Sequence, residues 1–388
     1  MKVGIDVFSY DSPGTNSGVG PGVYVWNLLP QLFAYGKEHQ FVVFANRESA
    51  SLITPRENVT IVVSSLNHRQ RWQRIIHEQF LLPRLFRKHR LDLLHCLGNN
   101  IPFVLGSHCI LTVHDLMWLY YLRLGHVSAK NLYFWLTVPV SLRRAGGIIT
   151  VSNFIAEEIA HEGYVRPTRI SVIPDAAGFL KIPSESQCVK LREKYQTPFL
   201  FTITTSLYHK NLITLLRAFA ILRSTGSFKG KLIVAGQLKG TYHHETFKAI
   251  ARAGLSNDVE LVGYIGEEEK TYCLRHCEAF VYPSRYEGFG LPILEAMKMG
   301  SPVVASRAAS IPEVGGECCL YFDPESAEEL ASQVELLLRS PELRSQMREN
   351  GCRRAQTFDW ATTARATAER YGALLSPKNL TNEKCVGF

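Results

Sequence analysis

The stretch SRYEGFGLPILEAMKMGSPVVAS, residues 284–306, places two glutamates, two glycines and a proline between apolar runs. The residues AFVYPS that lead into it are typical of a strand, RYEGFG of a loop and LPILEAMKM of a helix, because Pro292 suits a first helical turn. Gly288 and Gly290 allow a ligand to approach the backbone closely, and the unpaired N–H groups of a helix start favour an anion such as phosphate. The stretch therefore predicts an anion site between a strand and a helix.

Two carboxylates flank this predicted anion site. Glu287 lies in the loop, and we place Glu295 in the first turn of the helix. Carboxylates repel phosphate but accept hydrogen bonds from vicinal hydroxyls, as in a ribose or a hexose. The alternative is that Glu295 only complements the helix dipole and Glu287 is a solvated loop acid. These residues alone leave both interpretations open.

Length and composition predict a globular protein of two domains. The 388 residues are long for one core, and 46% hydrophobic with 20% charged residues is a globular balance. No apolar run approaches the roughly 20 residues that span a bilayer, and the start MKVGIDVFSYDS lacks the apolar core of a signal peptide. The nine cysteines show no paired spacing for zinc or redox chemistry. We therefore expect a cytoplasmic protein without a metal or disulfide framework.

Short apolar runs alternate with helical patterns along the whole chain, which predicts βαβ units and parallel sheets. The predicted strands are KVGIDVF, QFVVFA, VTIVVS, LDLLHC, CILTVHD and GGIITVS in the first half, and FLFTITT, KLIVAG, VELVGY, AFVYPS and PVVAS in the second. The pattern restarts near Pro198, after a polar stretch with a short helix. We expect an α/β fold with two Rossmann-like, doubly wound domains facing each other across a cleft that holds the ligands. The predicted ranges are an N-terminal domain over 1–178, a C-terminal domain over 179–357, a helix over 358–376 that crosses back to the first domain, and a tail over 377–388.

Three further features follow predicted strands. Lys210 lies between a strand and a helix, where a cation could hold a diphosphate. A glycine-rich loop, with glycines at 14, 18, 20 and 22, separates the first strand from the first helix and does not match the dinucleotide-binding spacing. His114 and Asp115 end the strand of TVHDL. The alternatives are a solvated lysine, a flexible loop and a structural histidine.

The positive charge of the chain lies mostly in its first half. Residues 1–195 carry 21 Lys and Arg against 14 Asp and Glu, and residues 196–388 carry 22 against 21. Residues 68–90 contribute seven basic residues, one acid and an apolar set that includes Trp72 and Phe80. One interpretation is an amphipathic helix that packs on its own domain with a solvated basic face. The other is a surface that contacts an anionic membrane or an anionic acceptor. No zinc-finger, RRM or KH signature indicates nucleic acid.

Taken together, these motifs resemble retaining glycosyltransferases of family four, which have the GT-B fold. The likeness rests on PSRYEGFGLPILEAMKMGSPVVAS, on SIPEVGGECCLYFDPES and on the pair Lys210-Asn211. It extends to VELVGYIGEEE, TVHDL, TVSNFIAEEI and TFDWATTARATAERYGALL, and so spans nearly the whole chain. The subgroup it resembles contains mannosyl- and rhamnosyltransferases of surface polysaccharide assembly.

The resemblance implies a role for each matching position. Glu287 and His114 are the implied catalytic residues, which contact the donor sugar, and Glu295 is implied to hold the nucleotide ribose. Lys210 is implied to neutralise the leaving diphosphate. The other implied donor-binding positions are Gly288, Phe289, Gly290 and Leu291 at the helix start, Gly20 and Gly22 in the glycine loop, Ser206, and Gly263 with Tyr264 near the base.

This sequence departs from the family's pattern in the residues expected around the diphosphate. The family usually has an arginine a few residues before the lysine, where this chain has Thr204, Thr205 and Ser206. Asp175-Ala176-Ala177 replaces the commoner asparagine-glycine turn. None of the eight aspartates forms a D-x-D pair that could hold a divalent ion, so we expect no metal site and no cofactor.

The expected function is that of a retaining, metal-independent hexosyltransferase. The first donor is GDP-mannose, and the acceptor is a hydroxyl of a glycan or a polyprenyl-diphosphate-linked oligosaccharide. The alternatives are a UDP- or dTDP-sugar donor (glucose, GlcNAc or rhamnose), a nucleotide-sugar epimerase that needs no acceptor, and a non-catalytic nucleotide-sugar binding protein. The expected location is cytoplasmic, with residues 68–90 as the candidate contact to the membrane face.

Overall fold

The computed structural model describes residues 1–11, 20–238 and 240–375. They form two compact units, one of Met1–Ala176 with the residues from Asp359 onward, and one of Ala177–Phe358. The glycines at positions 14 and 18 and the predicted tail over 377–388 lie outside the described residues. Each unit is a parallel sheet with helices, so the prediction of two doubly wound α/β domains is confirmed.

The sheet of the first unit has seven parallel strands in the order β3-β2-β1-β4-β5-β6-β7. The first six are close to the predicted ones, because buried parallel strands are nearly continuous apolar runs. The seventh, of only three residues, was not predicted. The strands are β1 (Lys2–Asp6), β2 (Gln40–Ala45), β3 (Val59–Val63), β4 (Leu93–Cys96), β5 (Cys109–Val113), β6 (Gly147–Thr150) and β7 (Ile170–Val172).

The helices of the first unit connect these strands. Ser128 and Ser152 cap two of them by accepting a hydrogen bond from the N–H three residues on. In chain order they are α1 (Pro21–Tyr35), α2 (Arg47–Ala50), α3 (Arg71–Ile76), α4 (Leu82–His89), α5 (Met117–Arg123), α6 (Ala129–Arg144) and α7 (Asn153–His161).

The predicted amphipathic helix over 68–90 is wrong in two respects. Helices α3 and α4 are separated by a π-helical segment, His77–Leu81, so the helical repeat changes within the stretch. Several of its apolar residues do not pack on the domain, since Trp72 is 59% and Phe80 is 58% exposed. Leu82, in contrast, is fully buried. The apolar face is therefore open to solvent.

The second unit has a six-stranded parallel sheet in the order β10-β9-β8-β11-β12-β13. The strands are β8 (Phe199–Ile203), β9 (Lys231–Ala235), β10 (Val259–Gly263), β11 (Ala279–Tyr282), β12 (Val303–Ser306) and β13 (Cys319–Phe322), the last of which was not predicted. The helices are α8 (Glu185–Lys194), α9 (Leu212–Ser224), α10 (Gly240–Arg252), α11 (Glu267–His276), α12 (Leu291–Lys298), α13 (Ile311–Gly315), α14 (Ala327–Arg339) and α15 (Pro341–Ala355).

The last described helix, α16 (Trp360–Leu375), belongs to the first unit. Its buried Tyr371 places its hydroxyl 2.7 Å from Nδ1 of His95 in β4, and Nε2 of His95 is 2.8 Å from Oγ1 of Thr112 in β5. Burial lowers the pKa of His95 to about 3, so the imidazole is neutral and both its nitrogens have partners. None of the helices described is both long enough and apolar enough to cross a membrane.

Candidate active site

Two loops meet where the strand order of the second unit reverses. Strands β8 and β11 are neighbours in the sheet although they are far apart in sequence. The loop after β8 carries Lys210, and the loop after β11 carries Glu287. Because the adjacent helices run to opposite sides of a doubly wound sheet, the carboxyl ends of such strands border a crevice that binds ligands.

Lys210 and Glu287 form a close ion pair at this point. Lys210 Nζ lies 2.6 Å from Oε1 of Glu287 and 3.3 Å from the hydroxyl oxygen of Tyr282, the last residue of β11. The Lys210 side chain is 18% and the Glu287 side chain 13% exposed. An ammonium group has three N–H donors, so these two contacts leave one for an anionic ligand.

The protonation states of Glu287 and His209 depend on the charge of Lys210 beside them. Burial raises the pKa of Glu287, but the positive charge of Lys210 and its hydrogen bond to the carboxylate outweigh that effect and hold the pKa below its usual value. Burial and the charge of Lys210 lower the pKa of His209 to about 4. At neutral pH the site therefore contains a carboxylate, an ammonium group and a neutral imidazole.

The helix after the Glu287 loop presents its N-terminus at the same place. Gly290 precedes α12 with a φ of 114°, a conformation that side chains with a Cβ rarely adopt. The first N–H groups of a helix usually have no partner within it, but here Pro292 has no N–H and that of Ile293 donates to the carbonyl of Gly290 at 3.0 Å. The backbone N–H of Leu291 is therefore the one that can bind an anion at this helix start. Gly288, Phe289 and Gly290 form the approach to this helix start.

Ser310 supports this loop, and sequence reasoning missed it. Its hydroxyl oxygen lies 2.9 Å from the carbonyl oxygen of Glu287 and 2.8 Å from that of Phe289. The residue follows β12 and is fully buried. Its contacts are to backbone atoms, so only the tertiary fold brings it to the loop.

Asn211 supports the neighbouring loop in the same way. It precedes α9 with a φ of 56°, and its side-chain amide donates to the carbonyl oxygens of Pro283 (3.0 Å) and Pro324 (2.7 Å). The backbone N–H of Arg285 also donates to the carbonyl of His209 at 2.7 Å. These bonds hold the Lys210 loop against the Glu287 loop.

Glu295 lies in the second turn of α12 rather than the first, because the helix begins at Leu291. Its carboxylate is nearly buried and lies 3.1 Å from Nζ of Lys270 in α11, which also lies 2.8 Å from Oε2 of Glu267. Burial raises the pKa of Glu295 above its usual value, although Lys270 acts in the opposite direction. The predicted ribose ligand therefore has a cationic partner that the motif did not indicate.

The remaining predicted positions of this unit lie at strand ends. Gly263 ends β10 with a φ of 70°, and the Tyr264 side chain that follows is 52% exposed. Ser206 is partly buried in the loop between β8 and Lys210. All three lie beyond the carboxyl ends of strands, where ligands of such sheets bind.

The predicted residues of the first unit lie around the start of α1. Gly20 precedes the helix with a φ of 77°. Gly22 lies in the first turn of the helix, not in the loop where we placed it, because α1 begins at Pro21. His114 follows β5, and its ring stands edge-on to Tyr24 of α1 with 4.8 Å between ring centroids. Its Nε2 is 3.1 Å from the carbonyl oxygen of Leu97, and burial lowers its pKa to about 4.

One group of side chains in the first unit has the composition of a metal site. Ligand atoms of Asp11, Glu48 and His68 lie within 4.8 Å of one another. His68 Nε2 is within hydrogen-bond distance of Asp11, and Glu48 pairs with Arg69 at 2.9 Å. These contacts account for the arrangement without an ion.

Two protein-family models together match most of the chain. Residues 19–176 match Glycosyltransferase Family 4, and residues 184–354 match Glycosyl transferases group 1. The MMP alpha-(1->4)-mannosyltransferase of Mycolicibacterium hassiacum is 31% identical over 95% of this chain and 97% of its own length. The O-antigen chain mannosyltransferase B of Escherichia coli is 28% identical over 79% of this chain and 77% of its own. The chain belongs to glycosyltransferase family 4.

Solved structures share the fold of the whole chain. Sucrose-phosphate synthase from Thermosynechococcus elongatus has a TM-score of 0.77 at 20% identity and covers 96% of this chain and 99% of its own. HepE of Anabaena, solved in complex with UDP and glucose, has a TM-score of 0.72 at 20% identity, with coverage of 96% and 100%. The predicted GT-B fold is confirmed.

Proposed function

We propose that this glycosyltransferase moves a hexose from a nucleotide sugar to a hydroxyl of a glycan or lipid-linked oligosaccharide in the assembly of a surface polysaccharide. The observation that carries the proposal is the group of Lys210, Glu287 and the start of α12 at the carboxyl ends of β8 and β11. It combines a cation, a backbone N–H at a helix start and a carboxylate, which suit a diphosphate joined to a sugar.

The proposed donor is GDP-mannose. The two relatives described above are named mannosyltransferases, and that shared word supports mannose for this chain. The UDP bound in the HepE structure, a neighbour at 20% identity, keeps uridine nucleotides among the candidates. The nucleotide sugar is a co-substrate, and the proposal includes no cofactor.

In the proposed reaction the bond between the anomeric carbon and the diphosphate oxygen breaks, the acceptor oxygen bonds to the same face of the sugar, and the proton of the acceptor hydroxyl passes to the departing diphosphate oxygen. The departing diphosphate gains negative charge. The third N–H of Lys210 and the helix start of α12 are placed to stabilise that charge without reorganisation. Glu287 accepts hydrogen bonds from the sugar hydroxyls, and Glu295 holds the ribose. These residues meet the leaving-group charge without a divalent ion.

The donor is tested by calorimetry with GDP-, UDP- and dTDP-sugars in the presence of EDTA. We expect saturable binding of one nucleotide sugar and its loss in Glu295→Gln. Glu328→Gln, which changes an exposed acid at the start of α14, is the matched control and should bind as the wild type. If no nucleotide sugar binds, or if binding requires a divalent ion, the proposal is wrong.

The stereochemistry is tested by transfer to a glycan acceptor. Nuclear magnetic resonance of the product anomer should show the configuration of the donor. Inversion would contradict the retaining assignment. Consumption of the donor at the same rate without any acceptor would favour a hydrolysing epimerase instead.

We also propose that the first unit contacts an anionic membrane. The exposed apolar face consists of Trp72, Ile76 and Phe80 along α3 and the π-helical segment, and of Leu132, Trp135 and Leu136 on α6, all between 38% and 59% exposed. Such a set of large apolar side chains is unusual on a surface that meets only water.

Contacts with one intervening segment bring the two helices of this face together. Gln79 of the π-helical segment donates to the carbonyl of Ile101 at 2.9 Å, and the backbone N–H of Ile101 donates to the hydroxyl of Ser141 on α6 at 3.3 Å. Charge supports an anionic partner. Residues 116–156 contain no Asp or Glu, and Glu78, the one acid in residues 68–90, is partly buried and bonded to Gln79. Basic side chains around exposed aromatic residues are typical of an interfacial surface.

A further inference from the structure

Lys270 is a largely buried lysine near the candidate donor site, and it has no part in the proposed reaction. Its side chain is 15% exposed, and it lies between the carboxylates of Glu267 and Glu295, at 2.8 and 3.1 Å. Glu295 is 8% exposed, so its charge has little contact with solvent. An isolated carboxylate buried to this degree is disfavoured and tends to take up a proton.

The position of Lys270 in the fold connects two parts of the candidate nucleotide pocket. Lys270 and Glu267 lie in the first turn of α11, directly after Gly263 and Tyr264, the candidate base-lining residues. Glu295 lies on α12, which begins at the candidate diphosphate site. The ion pair therefore links the base end of the candidate pocket to the ribose ligand.

We propose that Lys270 is a positioning residue that keeps Glu295 ionised and oriented to accept the two ribose hydroxyls of the donor. This inference rests on the proposed function, because it assumes that Glu295 binds the ribose. A carboxylate offers about four lone-pair sites, and Lys270 uses one of them on Oε2. The other sites remain for a vicinal diol.

Removal of Lys270 has a defined electrostatic consequence. Without the ammonium group, Glu267 and Glu295 become two carboxylates with no cation between them, and the charge of Glu267 raises the pKa of Glu295. Glu295 then either takes up a proton or turns away, and in both cases it loses acceptor sites for the ribose. The diphosphate contacts at Lys210 and α12 are unaffected by this change.

The test compares a ribonucleotide with its analogue that lacks the ribose hydroxyls. GDP and 2′,3′-dideoxy-GDP are titrated by calorimetry, and UDP with its dideoxy analogue is used in parallel. The hydrogen bonds to a charged acceptor should make the wild type prefer the ribonucleotide by about tenfold or more. In Lys270→Met this preference should fall to near one, while affinity for the dideoxy analogue is unchanged.

Three further variants keep the experiment decisive. Lys229→Met, which removes an exposed lysine of the same unit, should retain the full preference. Lys270→Arg should restore most of it, because arginine keeps the charge. Glu267→Gln in the Lys270→Met background should restore part of it, because one repulsive charge is gone. Thermal unfolding of each variant identifies any that is misfolded.

The outcomes separate this inference from the proposed function. If Glu295→Gln loses the preference and folded Lys270→Met keeps it, the positioning role is wrong and the ribose assignment stands. If both variants lower affinity equally for ribo- and dideoxynucleotides, Lys270 has only a structural role. If the wild type binds no nucleotide, or shows no preference, the ribose assignment of Glu295 is wrong and the inference is wrong with it.

Discussion

At the scale of single residues, the candidate site depends on charges whose partners lie far away in sequence. Lys210 and Glu287 are 77 residues apart and form one ion pair with 2.6 Å between Nζ and Oε1. Each charge offsets the desolvation free energy of the other, since an unpaired buried charge is strongly disfavoured. Replacement of either residue therefore affects both ligand contacts and the remaining partner.

We expect Lys210→Met to lower the transfer rate by about 100-fold or more, because the leaving diphosphate loses its cation. Nucleotide affinity should fall as well, and calorimetry measures it separately from the rate. Lys229→Met, which alters an exposed lysine in the same unit, should keep wild-type values. A fully active Lys210→Met enzyme would refute the assignment of this loop.

Glu287→Gln should also reduce transfer by about 100-fold, through a different step. The amide keeps the size of the side chain but removes the negative charge that holds sugar hydroxyls and orients Lys210. Affinity for the nucleotide diphosphate alone should change less than the rate does. Unchanged turnover of the proposed donor would show that Glu287 is only a loop acid.

Buried histidines predict how stability depends on pH. His209 has a folded-state pKa of about 4 against 6.5 in the unfolded chain. Between these values the unfolded chain binds a proton that the folded protein excludes, so stability falls as the pH is lowered from 6.5 to 4, by up to about 3 kcal/mol. Denaturant unfolding at pH 7 and 4.5 measures the difference.

His209→Asn should flatten that pH dependence, because it removes the group that takes up the proton. His161→Asn is the control, since the His161 side chain is 86% exposed. An equal loss of stability on acidification in the wild type and in His209→Asn would mean that other groups cause it.

At the scale of elements, the loop after β11 and the start of α12 are fixed by residues next to the candidate site. Ser310 contacts the carbonyls of Glu287 and Phe289, and Gly290 supplies the left-handed turn that α12 needs. Catalytic groups held by such contacts stay in place without reorganisation during the reaction. The loop therefore depends on a residue that has no role of its own toward the substrate.

Ser310→Ala should lower kcat/KM by about tenfold, because two buried carbonyls lose a hydrogen-bond donor worth about 1–2 kcal/mol and the loop is less well defined. Steady-state kinetics with the donor varied measures this effect. Ser326→Ala removes a serine that caps α14 instead, and should reduce stability without this loss of activity. Equal kinetics in the two variants would contradict the role of Ser310.

At the scale of the whole molecule, the proposed membrane contact would hold the enzyme at the surface of an anionic membrane. Its apolar face combines two helices of the first unit, and the exposed charged residues of the segment 68–90 are all basic. An acceptor linked to a lipid would then be met at the surface on which the enzyme already lies.

We expect the chain to sediment with vesicles of phosphatidylglycerol and phosphatidylcholine, and not with phosphatidylcholine alone. The triple variant Trp72→Ser, Phe80→Ser, Trp135→Ser should reduce the bound fraction by about tenfold or more, since buried apolar area and basic charge add to the affinity. Phe247→Ser with Leu336→Ser, two exposed apolar residues of the second unit, is the control. Equal binding by both variants would rule out this face.

The class of the fold and the outline of the donor site could be predicted from the sequence, because both depend on local order along the chain. Buried parallel strands are apolar runs of four to six residues, and the loop–helix pattern around Glu287 and Gly290 is contiguous. The shortest strand, β7, was missed because three residues give almost no periodic signal. The start of α1 was placed too late at Gly22, because helix ends are where local patterns are least informative. The start of α12 at Leu291 was predicted correctly, but Glu295 was placed one turn too early in that helix.

The pairs across the site were decided only by tertiary structure. The strand order β8-β11-β12 brings Lys210 to Glu287 and Ser310 to the loop carbonyls, and the packing of α11 beside α12 brings Lys270 to Glu295. The exposure of Trp72 and Phe80 could not be predicted from the sequence either, because an amphipathic pattern does not show what covers its apolar face. A sequence pattern determines the shape of one element; which side chains meet depends on how the sheet orders its strands and how the helices pack on it.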